Sequence, residues 1–308
     1  MECLLCLENL ECRVPGSAEQ QKALVVKLQD GWSRSVPVFD DVHLVSCAGL
    51  VPAMGLAERT GLGGLIEQRV RFKSSRVASA GVNPAGKLTA VIAGMVAGAD
   101  CIDDLDVLRC GGMDRLFVGV YAPATLGQLL REFTHGHTLQ LASALRAHLV
   151  TLVQSTGLLP GISQRVFVDI DSLLRPTFGH AKQGASYGHT KIAGKQVLRK
   201  GLSPLATTLS TAAGAPVIAG IRLRAGRAGS GKGAASMVTD AIGVARAAGA
   251  AGEVMVRGDS AYGNSAIVRA CLAAGARFSV VLVKNKAVTA AIAGIEEDAL
   301  SRSAIPAR

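Results

Sequence analysis

Val166-Phe167-Val168-Asp169-Ile170-Asp171-Ser172 decides how the rest of this 308-residue chain is read. Apolar Val166, Phe167, Val168 and Ile170 predict a central strand buried on both faces. Side chains alternate along a strand, so Asp169 and Asp171 point the same way. Two carboxylates about 4 Å apart, at an effective dielectric near ~20, repel by roughly 4 kcal/mol. Three resolutions are open: a cation beside them, one acid protonated, or a strand end open to water.

The charge balance changes around this strand. Residues 1–160 hold 14 Lys and Arg against 15 Asp and Glu, a net of −1, whereas residues 161–308 hold 19 against 8, a net of +11. From Ser172 to Gly252 there are eleven basic residues and one acid, Asp240. A domain charged so unevenly has a polyanion as its natural partner. The hydrophobic fraction of 49% suits a folded core and argues against disorder. The longest apolar run, around Val91 to Ala99, is too short to span a bilayer, which excludes a membrane partner of that kind. Met1 to Leu10 carries two Glu and no basic stretch, so it does not read as a signal peptide, and a cytoplasmic location is expected. Seven cysteines follow no framework spacing. Cys3, Cys6 and Cys12 find no fourth ligand before His43 and Cys47, which favours reduced, non-ligating thiols over zinc.

Three segments are expected: an N-terminal extension, 1–24; a near-neutral helical region, 25–160; and a basic α/β region, 161–308, with the boundary at Leu158-Leu159-Pro160-Gly161. In the helical region, short helices with Leu56, Leu62 and Leu65 on their apolar faces lie between Asp40 and Gln68. Asn83-Pro84 caps a helix running to about Ala99. Asp103, Asp104 and Asp106 sit in the first turn of the next helix, where the dipole favours acids and no metal is needed. Pro123 to Phe133 and Thr138 to Ser155 are further helices, with His135 and His137 in an exposed turn between them. After the Val166 strand come a Gly- and Lys-rich loop, Arg175 to Lys200, and a hairpin of Leu205–Thr211 with Val217–Leu223. A helix from Gly233 to Ala248, a strand from Glu253 to Asp259, a helix from Asn264 to Ala274 and a strand from Phe278 to Val283 complete an α/β layout with a mixed sheet.

Two chemistries fit this layout. Gly226-Arg227-Ala228-Gly229-Ser230-Gly231-Lys232 matches the GxxxxGK phosphate loop. However, Gly233 stands where a Ser or Thr hydroxyl should meet Mg²⁺, and the preceding strand belongs to a hairpin. The other chemistry joins Asp171 to Asp259. Both acids end apolar strands in the basic half, and two carboxylates on neighbouring strand ends are the minimum scaffold for two-metal phosphoryl transfer.

Val168-Asp169-Ile170-Asp171-Ser172 with Gly179-His180-Ala181-Lys182-Gln183-Gly184 resembles the first catalytic block of DDE-type insertion-sequence transposases. Val256-Arg257-Gly258-Asp259-Ser260-Ala261-Tyr262-Gly263 is similar to their second block. The resemblance extends over roughly Gly31 to Ile295, through Ala93 to Asp100, Ile102-Asp103-Asp104 and Lys195 to Gly201. It implies an RNase H-like α/β fold, a mixed sheet with flanking helices, preceded by an all-helical N-terminal region. It also implies metal-dependent cleavage and strand transfer of transposon-end DNA with Mg²⁺ or Mn²⁺, on double-stranded DNA ends and target, by a homodimer associated with the nucleoid.

On this resemblance Asp171 is the first catalytic and metal-binding acid, Asp169 its fallback metal ligand, and Asp259 the second catalytic acid. Lys182, Lys191, Lys195, Arg199 and Lys200, interleaved with Phe178 and Tyr187, are the expected DNA contacts. His180 and His189 have spacing that suits no standard metal site. The family's third acid, a Glu on a later helix, has no counterpart by position, since Glu296, Glu297 and Asp298 follow too closely on the Val283 strand. The catalytic region is therefore expected to be incomplete at its C-terminus and inactive. The alternatives are a non-catalytic DNA-binding remnant or a phosphate-loop nucleotide-binding protein.

Overall fold

A computed structural model describes residues 43–73, 79–179 and 182–296. The 1–24 extension with Cys3, Cys6 and Cys12, and also His180, Glu297, Asp298 and the tail to Arg308, lie outside the described residues. The chain divides into two compact units between His148 and Leu149.

The first unit is helical throughout its described residues: α1 (Leu50–Arg59), α2 (Leu62–Arg69), α3 (Pro84–Val96), two 3-10 turns (Asp103–Arg109, Gly111–Arg115), α4 (Pro123–Arg131) and the start of α5 (His135–Ser155). Asn83 caps α3 by accepting from the Gly86 N–H at 3.1 Å, and Pro84 supplies a preset φ where no N–H is needed. One apolar cluster joins Leu62, Ile66, Val70, Leu88, Leu129 and Ala144, and a second joins Leu50, Ala93, Leu108 and Met113.

His135 and His137 are not in a turn between helices; they open α5. His137 Nδ1 accepts from the Thr134 backbone N–H at 3.1 Å, a capping contact reaching back three residues. Its ring also lies 4.3 Å from the Phe72 ring, so a capping and packing role replaces the exposed turn.

The Thr60 hydroxyl donates to the Leu56 carbonyl at 2.8 Å and therefore accepts from His148 Nε2 at 2.7 Å. Burial holds the His148 pKa below its ordinary value. The unfolded chain then binds the proton more readily than the folded one, so stability is full above about pH 6.5 and falls as pH drops from there towards the folded pKa. His148→Gln should flatten that fall, as read by urea unfolding of wild type and variant at pH 7.5 and pH 5.5.

The second unit is built on β1 (Arg165–Ser172), β5 (Leu205–Thr211), β6 (Gly214–Arg222), β7 (Glu253–Gly258) and β8 (Arg277–Val280), in the order β6-β5-β1-β7-β8. β5 pairs antiparallel to β1 and β6 antiparallel to β5, while β7 pairs parallel to β1 and β8 parallel to β7. Helices α6 (Ala234–Ala247), α7 (Ser265–Ala273) and α8 (Lys286–Ala293) complete the unit. This is the mixed α/β sheet with flanking helices expected of an RNase H-like domain, after an all-helical region.

β1 is central, but it is buried on one face and not on both. Val166, Val168 and Ile170 pack with Leu205, Leu209, Val254 and Val256 against Val238 and Ile242 of α6 and Ile267 and Cys271 of α7. Each such side chain contributes about 1.5–3 kcal/mol on full burial. Phe167, Asp169 and Asp171 alternate onto the other face, where Arg257 lies 4.3 Å above the Phe167 ring.

The expected loop from Arg175 to Lys200 is instead a second sheet. β2 (Arg175–Pro176), β3 (Ser186–Ile192) and β4 (Lys195–Leu202) pair in the order β2-β4-β3. β4 is exposed at every residue from Lys195 to Lys200. No buried face means no apolar alternation, so the strand signal was missing from the sequence while the backbone ladder formed regardless.

Candidate active site

The parallel register of β1 and β7 runs from Arg165↔Glu253 to Ile170↔Gly258. Asp171 and Asp259 are each one residue beyond the last pair, on strands spaced about 4.8 Å apart. Both are exposed, and alternation along β1 turns Asp171 to the face away from α6 and α7. The structure thus brings Asp171 beside Asp259, as neighbouring strand ends require.

Two resolutions of the carboxylate repulsion appear, a cation at Asp169 and an open strand end at Asp171. Asp169 is taken by a cation: Arg257 Nε and Nη2 donate to its two oxygens at 2.6 and 2.7 Å. That pairing raises the Arg257 pKa, the Asp169 hydrogen bond being the main cause. Asp171 accepts only from the Ser172 N–H at 2.6 Å, and Asp259 only from the Ala261 N–H at 2.9 Å. Among the described residues, no Lys, Arg or His forms an ion pair with either one.

Tyr262, three residues after Asp259 and 1% exposed, packs against Gly258 beside Ile170, in the core shared with α6 and α7. Its hydroxyl is buried with no hydrogen-bond partner of good geometry, although the Ser172 side chain is close enough to oppose the rise in its pKa. Burial pushes that pKa up, and the charges of Asp171 and Asp259 add to the rise while that of Arg224 opposes it. In the sequence Tyr262 stands only as a member of the Val256–Gly263 stretch, three residues after Asp259, with no local pattern that marks it as buried.

Two oxygen-donor carboxylates without cation partners, with a buried unpartnered hydroxyl whose pKa they raise, fit a hard divalent ion such as Mg²⁺ or Mn²⁺. Among the described residues no third His, Cys, Asp or Glu completes a group with them. Glu296 follows α8 and is exposed. Among the described residues the one such group of three is Asp100, Cys101 and Asp104, exposed on the first unit. There Asp104 is already engaged: the Cys101 side chain and the Asp100 and Cys101 backbone N–H groups hold its carboxyl below the usual range.

The GxxxxGK stretch has a different local logic from a phosphate cradle. Its preceding strand, β6, is an edge strand paired antiparallel to β5 and has no parallel neighbour in the sheet. Arg224, 8% exposed, draws the Gly229, Ser230 and Lys232 carbonyls inward at 3.2, 3.0 and 2.9 Å.

Lys182, Lys195, Arg199 and Lys200 are all exposed on the second sheet and the turn leading to it, as are Tyr187 and His189. Lys191 belongs to β3, directly across from Gln196. Phe178 is 82% exposed. Among the described residues, no helix is long and apolar enough to cross a membrane.

The family described as Transposase DDE domain group 1 matches residues 33–306. No curated protein matches the chain.

Proposed function

The chain belongs to the DDE transposase family, and from that premise we propose that it acts on transposon-end DNA with Asp171 and Asp259 as its metal-holding catalytic acids. The observation that carries this reading is their placement on adjacent parallel strand ends without a cation partner, in contrast to Asp169. A Mg²⁺ or Mn²⁺ ion held there supplies Lewis-acid stabilisation of charge on a phosphoryl oxygen. The chain's own residues do the rest of the positioning. Arg257 engages Asp169 and keeps both off the two exposed acids, which leaves Asp169 a reserve ligand. Lys182, Lys191, Lys195, Arg199 and Lys200, beside Phe178 and Tyr187, contact phosphates and fix the register of the duplex without reading its bases. Residues 25–160 hold DNA or the second protomer of a homodimer, and residues 161–308 form the catalytic domain, in a nucleoid-associated cytoplasmic protein.

Two carboxylates bind Mg²⁺ weakly unless substrate phosphates help, and each 1.36 kcal/mol of lost transition-state stabilisation costs about tenfold in rate. The expected result is therefore DNA binding without detectable cleavage. A labelled transposon-end duplex incubated with the chain and Mn²⁺ tests this. Cleavage that disappears in Asp259→Asn would mean that Glu296, Glu297 or Asp298 supplies a third ligand, and would end the inactive reading. Binding should be electrostatic, with a log–log salt slope near −5 if about six phosphates are neutralised. Charge reversal at Lys182, Lys191 and Lys195 together should flatten it, and ATP should change nothing. Micromolar ATP affinity would restore the phosphate-loop alternative.

A further inference from the structure

β3 and β4 form a ribbon unlike the rest of the unit. Seven register pairs, from Ser186↔Gly201 to Ile192↔Lys195, span roughly 20 Å and close at Ala193-Gly194. Both closing residues have positive φ, 48° and 78°, the backbone of a tight two-residue hairpin turn. On β4 one face presents Lys195, Val197 and Arg199, and the other presents Gln196, Leu198 and Lys200, with Tyr187 and His189 across from the last two. All of these are exposed, Leu198 at 56% and Tyr187 at 63%. No Asp or Glu occurs from Ser172 to Thr239. A two-stranded ribbon burying neither face is marginal in water by itself, so these apolar and basic faces lack a partner they could pack on.

The root of the ribbon, in contrast, is fixed. Gly188 and Gly226 approach so closely that a Cβ on either would overlap the neighbouring backbone. The Arg227 N–H donates to Ser186 Oγ at 2.9 Å, and Leu202 bridges Ala225. Arg224 locks that same loop and also donates to the Ser203 carbonyl at 3.1 Å. The chain enters this module at Arg175, four residues after Asp171, and returns into β5, whose Ala206 pairs with Asp171. A duplex gripped by the ribbon is thereby tied to the acid pair through a short, rigid connection.

We infer that the β3–β4 ribbon enters the major groove of double-stranded DNA and holds there the duplex presented to Asp171 and Asp259. This rests on the transposase reading above and adds the mode of grip. The major groove, about 12 Å wide, admits a two-stranded ribbon, whereas the minor groove, about 6 Å wide, does not without deformation. Inside a groove, phosphates flank both sides, which is the reason for cations on both faces. A ribbon lying flat on the outside of the backbone would need them on one face only.

The test uses the whole chain and a 30-bp duplex of arbitrary sequence. Dimethyl sulfate footprinting of the wild type should show protection at guanine N7, in the major groove, and none at adenine N3, in the minor groove. Lys195→Glu with Arg199→Glu, and separately Gln196→Glu with Lys200→Glu, should each weaken binding at least tenfold. Each pair should also make the salt slope shallower, by about 2 for the first and about 1 for the second. Both variants should keep wild-type circular dichroism and Mn²⁺ response, because the ribbon lies off the core. Protection at N3 alone, or loss of affinity from one face only, overturns the groove assignment while the transposase reading stands. A wild-type chain that binds no duplex at low salt overturns both.

Discussion

Asp171→Asn and Asp259→Asn are each expected to abolish the stabilisation of the folded chain by Mn²⁺. A ligand that binds only the native state adds about 2.7 kcal/mol at a hundred times its Kd. Wild type should therefore show a clear, saturable rise in melting temperature across a Mn²⁺ titration, and neither variant should show any. Asp169→Asn is expected to lose less of the response, because the Asp169 carboxylate is already held by two Arg257 hydrogen bonds at 2.6 and 2.7 Å. The comparison is sharp, since the three acids lie at or near the ends of two adjacent strands. A full response in Asp171→Asn with none in Asp169→Asn would move the metal assignment two residues back along β1. It would also require Arg257 to release its partner when the ion binds.

Arg224→Ala is expected to be the most damaging single change in the second unit, costing about 3–5 kcal/mol in urea unfolding. Arg224 is a buried cation that donates to carbonyls and one hydroxyl: Ser203, Gly229, Ser230 and Lys232 through their backbone oxygens, and Ser203 Oγ. Burial lowers its pKa, yet a guanidinium stays protonated, so the cost of desolvating it is borne by these bonds. Removing it leaves several carbonyls unsatisfied at about 1–3 kcal/mol each, partly recovered where water enters. Arg224→Lys should recover only part, because a single ammonium cannot span carbonyls on both sides of the fork. The same loop anchors the ribbon root, so Arg224→Ala should also weaken duplex binding. A loss under about 1 kcal/mol would show that the loop holds its shape without the arginine.

Elements with a buried face or a capping signal were legible before the structure. The Asn83-Pro84 start of α3, the Leu205–Thr211 strand and its hairpin partner, α6 and β7 all appear within a few residues of where their patterns place them. Apolar periodicity and cap chemistry are local, and they report which side of an element loses water. The ribbon was illegible for the same reason: with neither face buried, its residues read as a Gly- and Lys-rich loop. α8 was also missed; it buries nothing among the described residues. His137 was misplaced because its partners, Phe72 and Thr134, include one that is remote in sequence.

For the candidate site, the sequence by itself determined that Asp169, Asp171 and Asp259 stand at or near the ends of apolar strands, and that the half containing them carries the positive charge. Only the tertiary structure decided that β1 and β7 are parallel neighbours, which sets Asp171 beside Asp259. It also gave the two acids different surroundings, pairing Asp169 with Arg257 and leaving Asp171 without a cation partner among the described residues. Strand order and ion pairing join residues 88 positions apart, and hydrogen-bond ladders and charge pairs of that span follow from which surfaces meet when the core closes. A local pattern records burial and turn chemistry, and it carries no term for that choice of neighbour.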